Sequence, residues 1–207
     1  MYPPHPYIKI SPKCLEEYEK TKKWIAQRKF NGTNILINID IDRNIKLLTR
    51  HGTPPKLFSL SKSHIDQILS LNLEDKKEYW FNGELLDHKT KNYKGKIILF
   101  DIIYEGGYLV RVKQVDRLQI LSDICGNPIE LEESNKIALK VTSDIWLAEN
   151  WNDNFNFHFE EFINLDEIEG LMLREKESLN NNFGAKKYDV SWMVKCRKPH
   201  SGDLYRY

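Results

Sequence analysis

The stretch Trp24-Ile25-Ala26-Gln27-Arg28-Lys29-Phe30-Asn31-Gly32-Thr33-Asn34-Ile35-Leu36-Ile37-Asn38-Ile39 reads as two short strands joined at a Lys-x-x-Gly turn. Behind the turn, Ile35, Ile37 and Ile39 recur with the period of two that turns one face of a strand toward a core. A lysine held on such a turn becomes a covalent nucleophile once its ammonium loses a proton. Lys-x-x-Gly is by itself a common sequence, and a solvated turn lysine is its ordinary meaning. The weight therefore falls on the downstream segments of the chain.

Outward from that hairpin-like stretch, the Ser11-Pro12 pair caps a short helix carrying Leu15, Tyr18 and Lys22. A third strand is expected over 45–49, after the polar turn Asp42-Arg43-Asn44. Helical spacing over 61–71 is followed by extended segments at 79–81 and 84–86 around a glycine turn, and by a continuous apolar run over 97–103 suited to a buried strand. Within 111–124, Val112, Val115, Leu118, Leu121 and Ile124 form a helical stripe, and 155–163 reads as another helix. Segments 168–173 and 191–197 are extended, with the polar stretch 180–184 as a loop between them. The expected class is α+β, with mostly antiparallel sheets flanked by helices.

At 207 residues, 41% hydrophobic and 29% charged, the chain is expected to be one globular domain over 1–207. No run of about 18 apolar residues exists, so no spanning helix is expected and no membrane partner. Cys14, Cys125 and Cys196 lie far apart without a C-x-x-C pair, which excludes a recognisable zinc pattern and points to a reducing compartment. Lysine and arginine number 31 against 30 acidic residues, so bulk charge favours no polyanion, and any nucleic-acid contact must come from a local face. The basic segment 186–206, with Lys186, Lys187, Lys195, Arg197, Lys198 and Arg206, reads first as a solvated region. His51 and His88 lack metal-like spacing to other ligands.

Six segments carry chemistry together. Lys29 comes first; Arg50-His51-Gly52 puts a cation at a strand end, and Asn82-Gly83-Glu84 a carboxylate beside glycine. Leu99-Phe100-Asp101 sets a ring in a buried strand, and Glu169-Gly170 supplies a second carboxylate. Met193-Val194-Lys195-Cys196-Arg197 turns Lys195 and Arg197 to one side by strand alternation. A neutral amine, paired cations, two carboxylates and a ring are what nucleotidyl transfer to lysine needs. Each residue also has a plain reading: surface cation, strand-end carboxylate or, for Phe100 among Ile98, Leu99, Ile102 and Ile103, ordinary core.

Taken in order, these segments resemble the motifs of the covalent nucleotidyltransferase superfamily, which comprises ATP-dependent polynucleotide ligases and mRNA-capping guanylyltransferases. The resemblance spans about residues 24–199 and implies a ligase-type nucleotidyltransferase (adenylation) domain. It implies ATP as cofactor, with AMP carried covalently on Lys29, and Mg2+ or Mn2+ held with the help of Glu169. Arg50 would contact the ribose or a phosphate, Glu84 the ribose hydroxyl, and Phe100 would stack on the purine. Lys195 and Arg197 would hold the α-phosphate, and Gln27 is a candidate for reading the adenine edge. Asn34 is counted with the nucleotide-binding residues, although DNA ligases of the family usually carry arginine there and aspartate at Asn31. Gly32-Thr33-Asn34 is similar to one branch of RNA ligases, whereas 82–86 and 192–195 are closer to DNA-ligase-like phage proteins.

The implied activity is sealing of 3′-hydroxyl and 5′-phosphate ends of DNA or RNA. A capping guanylyltransferase and a catalytically idle end-binding module are the alternatives. Family ligases continue into an oligonucleotide-binding barrel; here only 199–207 follow the last segment, so the expectation is a minimal form without that barrel, or one served by a separate nucleic-acid-binding partner. Cytoplasmic localisation is expected; the Asn-, Ile- and Lys-rich composition points to an A+T-rich genome, with a phage protein in its host's cytoplasm as the guess that goes with it.

Overall fold

A computed structural model describes residues 3–87, 89–109, 111–126, 128, 137–161, 163–180 and 189–199. His88, Lys186, Lys187, Arg206 and most of the 180–184 loop lie outside the described residues. Among the described residues, ten strands and four α-helices run in the order β1 (His5–Ile10), α1 (Leu15–Lys20), β2 (Trp24–Phe30), β3 (Thr33–Ile39), β4 (Ile45–Thr49), α2 (Lys62–Leu69), β5 (Tyr79–Leu85), β6 (Ile97–Glu105), α3 (Gln114–Cys125), β7 (Leu139–Lys140), β8 (Ile145–Leu147), α4 (Phe155–Glu161), β9 (Ile168–Glu175) and β10 (Asp189–Arg197). They form a four-stranded sheet in the order β1-β10-β9-β2 and a six-stranded sheet in the order β4-β3-β5-β6-β8-β7. All pairings are antiparallel except β1 with β10 and β6 with β8. The α+β class with mostly antiparallel sheets is what the period-two patterns predict.

β2 and β3 are not a hairpin. β2 pairs with β9 and β3 with β4 and β5, so Asn31 and Gly32 carry the chain from one sheet to the other. Sequence periodicity shows that two strands flank a glycine; it carries no information on which sheet each one joins. Lys29 correspondingly sits inside β2, one residue from its end, rather than on the turn itself.

The glycine turn expected between 81 and 84 is also absent. β5 runs unbroken through Gly83, where a Cβ would lie 2.7 Å from the Ile98 carbonyl oxygen. This glycine serves close strand approach rather than chain reversal. β1 escapes a sequence reading because Pro3, Pro4 and Pro6 obscure it; it is an edge strand, where a missing N–H is tolerated. α3 begins at Gln114, two residues after Val112 opens its apolar stripe, with Gln114 N–H donating to the Ser178 carbonyl.

Each sheet packs one face on helices. Ile35, Ile37, Ile39, Phe81 and Leu99 pack against Ile68 of α2 and Leu121 and Ile124 of α3. Ala26, Leu171, Leu173, Val194 and Cys196 pack against Leu15 of α1 and Phe155 and Phe159 of α4. α2 is held at its start by a reciprocal cap between Ser61 and His64. With helices on those faces, strand alternation turns the remaining side chains of both sheets toward a shared cavity.

Candidate active site

Lys29 lies opposite Gly170 in the β2–β9 register, and its Nζ donates to Glu169 Oε2 at 2.5 Å. Both side chains are about four-fifths enclosed, at 18% and 20% exposure. Arg197 Nη2 approaches the same Glu169 oxygen at 3.2 Å from β10. Strict alternation would point Glu169 with Leu171 and Leu173 into the helix-covered core. Gly170 prevents this with φ of +138°, a conformation in which a Cβ would meet the Cys196 carbonyl oxygen at 2.0 Å. The irregularity turns Glu169 onto the lysine. Burial pushes the Glu169 carboxyl up, but the charge and hydrogen bond of Lys29, with Arg197 and Lys89, hold it below the ordinary range.

Glu84 approaches from the other sheet. Its Oε1 accepts the Gly32 N–H at 3.0 Å, and Gly32 has no room for a Cβ beside the Leu85 carbonyl oxygen and Glu84 Cγ. Burial raises the Glu84 carboxyl to about 7, against the pull of Lys29, the Gly32 N–H and Lys89, with Glu169 adding to the rise. Lys89 Nζ donates to the Gly32 carbonyl, and Thr33 Oγ1 donates to Asp87 at 3.0 Å, pinning the loop after β5 to the crossover. Asn34 Nδ2 donates to Asn82 Oδ1 at 3.0 Å and the Gly83 carbonyl at 3.2 Å, while its own buried Oδ1 has no hydrogen-bond partner among the described residues.

Phe100 belongs to both readings offered by its sequence. It packs against the cluster containing Ile98, Trp146 and Leu86, yet remains half-buried on the cavity wall. The Arg174 guanidinium carbon lies 5.1 Å from its ring centroid. Behind the wall is a buried network. Asp101 accepts from Arg117 Nε at 3.1 Å and Nη2 at 3.3 Å, and lies 3.5 Å from Arg174 Nη1. Burial pushes the Arg174 guanidinium down to about 10, against the stabilising charge of Asp101 and together with repulsion from Arg117.

Lys195 and Arg197 share one face of β10, and Lys195 Nζ donates to the Pro6 carbonyl at 3.0 Å. Arg50, exposed just after β4, contacts His51 through Nε at 3.2 Å. One open cavity of about 880 Å3 is lined by Gln27, Lys29, Asn34, Arg50, Glu84, Phe100, Glu169, Lys195 and Arg197, drawn from both sheets. It also takes in residues that the sequence reading left out: Arg174, Lys89 and the N-terminal wall over Pro3–Tyr7. Arg174 succeeds Gly170 and Met172 at period two, so alternation along β9 was the available signal; Lys89 sits on a loop with no periodicity to expose it.

No group of three or more His, Cys, Asp or Glu side chains suited to a metal occurs among the described residues. Glu169 and Glu84 suit a hard divalent cation of the magnesium type, which takes one or two carboxylates and completes its shell with substrate phosphates and water.

Solved structures share this architecture. The ligase domain from M. tuberculosis LigD superposes with a TM-score of 0.51 at 16% identity, over 84% of this chain and 53% of that one. The fold is that of a ligase nucleotidyltransferase domain. A second solved structure, Pmar-Lig_PreS3, matches with a TM-score of 0.55 at 14% identity, covering 92% of this chain and 46% of its own. The chain spans about half the length of these solved structures. No family model matches the sequence, and no curated protein matches it. No helix among the described residues is long and apolar enough to cross a membrane.

Proposed function

We propose that this chain is an ATP-dependent polynucleotide ligase that works through a lysyl-AMP intermediate. The observation that carries the reading is the placement of Lys29 Nζ inside the cavity, bound to Glu169 with Arg197 beside it and Phe100 on the same wall. Cations, carboxylates and a ring meet there around one enclosed amine.

In the first step the Lys29 amine, having given its proton to water and parted from Glu169, attacks the α-phosphorus of ATP. The N–P bond forms as the bond to the β-phosphate oxygen breaks, and pyrophosphate leaves. Lys195 and Arg197 neutralise the α-phosphate, Arg as a fork and Lys as a point charge. Arg50 meets the ribose or a phosphate, Glu84 the ribose hydroxyl, and Asn34 offers its open carbonyl to the nucleotide. A 5′-phosphate oxygen then displaces the lysine, taking AMP, and a 3′-hydroxyl displaces AMP to join the strands. Mg2+ or Mn2+, held by Glu169 with Glu84 near it, supplies charge neutralisation of the phosphates when bound. The nucleic-acid partner is a nicked or broken DNA or RNA end.

Intact mass after incubation with ATP and Mg2+ or Mn2+ tests the first step, with Lys29→Ala as control. The expected result is an AMP adduct on the wild type alone. Sealing of nicked DNA, nicked RNA and hybrid duplexes then identifies the polynucleotide. A wild type that takes no adduct and also fails on pre-adenylated strands sinks the ligase reading.

A further inference from the structure

The Gln27 side chain, 1% exposed on the cavity wall, has its hydrogen bonds assigned by its neighbours. Its Nε2 donates to the Phe100 carbonyl at 3.2 Å and to Asn150 Oδ1 at 2.8 Å, which uses both amide hydrogens. Its Oε1 accepts from Arg174 Nε at 2.8 Å. A guanidinium can only donate and a backbone carbonyl can only accept, so the orientation of this amide is fixed by chemistry. Turning it over would set two donors face to face at Arg174 and two acceptors face to face at Phe100. Arg174 is itself held by Asp101 at 3.5 Å, and Asp101 by Arg117 and by the Ile102 N–H at 2.9 Å. The lock is therefore anchored in the buried layer beneath α3.

We infer that Arg174 is a positioning residue for nucleotide choice: by locking the Gln27 carboxamide it leaves only an acceptor lone pair for the base, which favours adenine over guanine. The inference rests on the nucleotidyl-transfer reading above and deepens it. Adenine carries an exocyclic amine, a donor, where guanine carries a carbonyl acceptor. A locked Oε1 keeps one lone pair for that amine, and the amide has no hydrogen left for the guanine carbonyl. Arg174 acts through Gln27 and through the Phe100 ring it covers.

The test is the ratio of kcat/KM for Lys29 labelling by ATP to that by GTP, read by intact mass in wild type, Arg174→Met and Asn150→Ala. Asn150 is exposed, so its variant keeps the fold even if removal of the buried arginine does not, and it frees one Nε2 hydrogen for the guanine carbonyl. The wild type is expected to prefer ATP. Arg174→Met is expected to lower that preference by about tenfold or more, and Asn150→Ala by a smaller factor in the same direction. General loosening of the fold lowers both rates and leaves their ratio in place. A ratio unchanged in every folded variant overturns the inference, as does a wild type that labels with GTP as readily as ATP. A wild type labelled by neither nucleotide overturns the inference as well, and the ligase reading falls with it only if the protein also fails on pre-adenylated strands, which keeps the two failures apart.

Discussion

Replacing Gly170 by alanine tests the backbone device that aims Glu169 at Lys29. The residue has φ of +138°, and an added Cβ would stand 2.0 Å from the Cys196 carbonyl oxygen and 3.0 Å from Arg197 Cα. These are backbone atoms of the paired β10, so no side-chain rotation relieves them. Holding a non-glycine residue in that conformation costs about 1–3 kcal/mol. Forcing the two strands apart adds about 1–3 kcal/mol more, as for other overpacked sites. The sum, about 4 kcal/mol, is a large part of the stability of an ordinary domain. For a chain of this size it lowers Tm by about 8–16 °C. The displaced strand carries Arg197, so adduct formation is expected to fall even at temperatures where the variant stays folded. Urea denaturation and a thermal melt read the first effect, and the rate of AMP adduct formation the second. Gly107→Ala is the control, since no atom lies within 4 Å of its Cβ position. A Gly170→Ala protein within about 1 kcal/mol of wild type would refute the account of why glycine stands there.

Glu84→Gln should flatten the pH dependence of stability. The folded carboxyl titrates at about 7 against an ordinary 4.5, so the native state holds its proton more tightly than the unfolded chain. Its contribution is complete below about pH 4.5 and is lost as pH rises through 7. The difference is on the order of 3 kcal/mol between the two limits, and parallel wild-type and variant curves from urea melts across pH 4–8 would count against it. Asp101→Asn strips the carboxylate from buried Arg117 and Arg174 and is expected to cost about 3–5 kcal/mol in the same assay. Asp66→Ala, which breaks a solvent-exposed pair with Lys62, should stay within about 0.5 kcal/mol of wild type. Lys29→Ala should take no AMP adduct while keeping stability within about 1 kcal/mol, because Arg197 still faces Glu169; a variant that unfolds would show Lys29 to be a structural cation instead.

The strand and helix inventory was legible wherever one face of an element is buried on a regular partner. Ile35, Ile37 and Ile39 announce β3, and Leu121 and Ile124, with buried Leu118, announce α3, because core packing imposes its period on apolar residues. Legibility failed where the backbone departs from the period. Gly83 looked like a turn glycine and lies within a strand, whereas Gly170 read as part of an extended segment without its positive φ being visible; in both cases only the neighbouring strand shows the space each one vacates. The cavity-lining cations divide in the same way. Lys195 and Arg197 are readable from alternation along β10, whereas Lys89 reaches the crossover from an irregular loop. The resemblance made Gln27 a candidate for reading the adenine edge but said nothing of its three protein partners, which come from β6, β9 and the segment after β8.

By itself the sequence determined the types of most elements and the α+β class, because these depend on local period and residue type. The tertiary structure alone decided that β2 and β3 part into different sheets. It also decided that Gly170 turns Glu169 out of the core and that Arg174 holds Gln27 in one orientation. Each of these rests on contacts between segments far apart in the chain. Their energies are set by distances and angles in space, which local period does not encode.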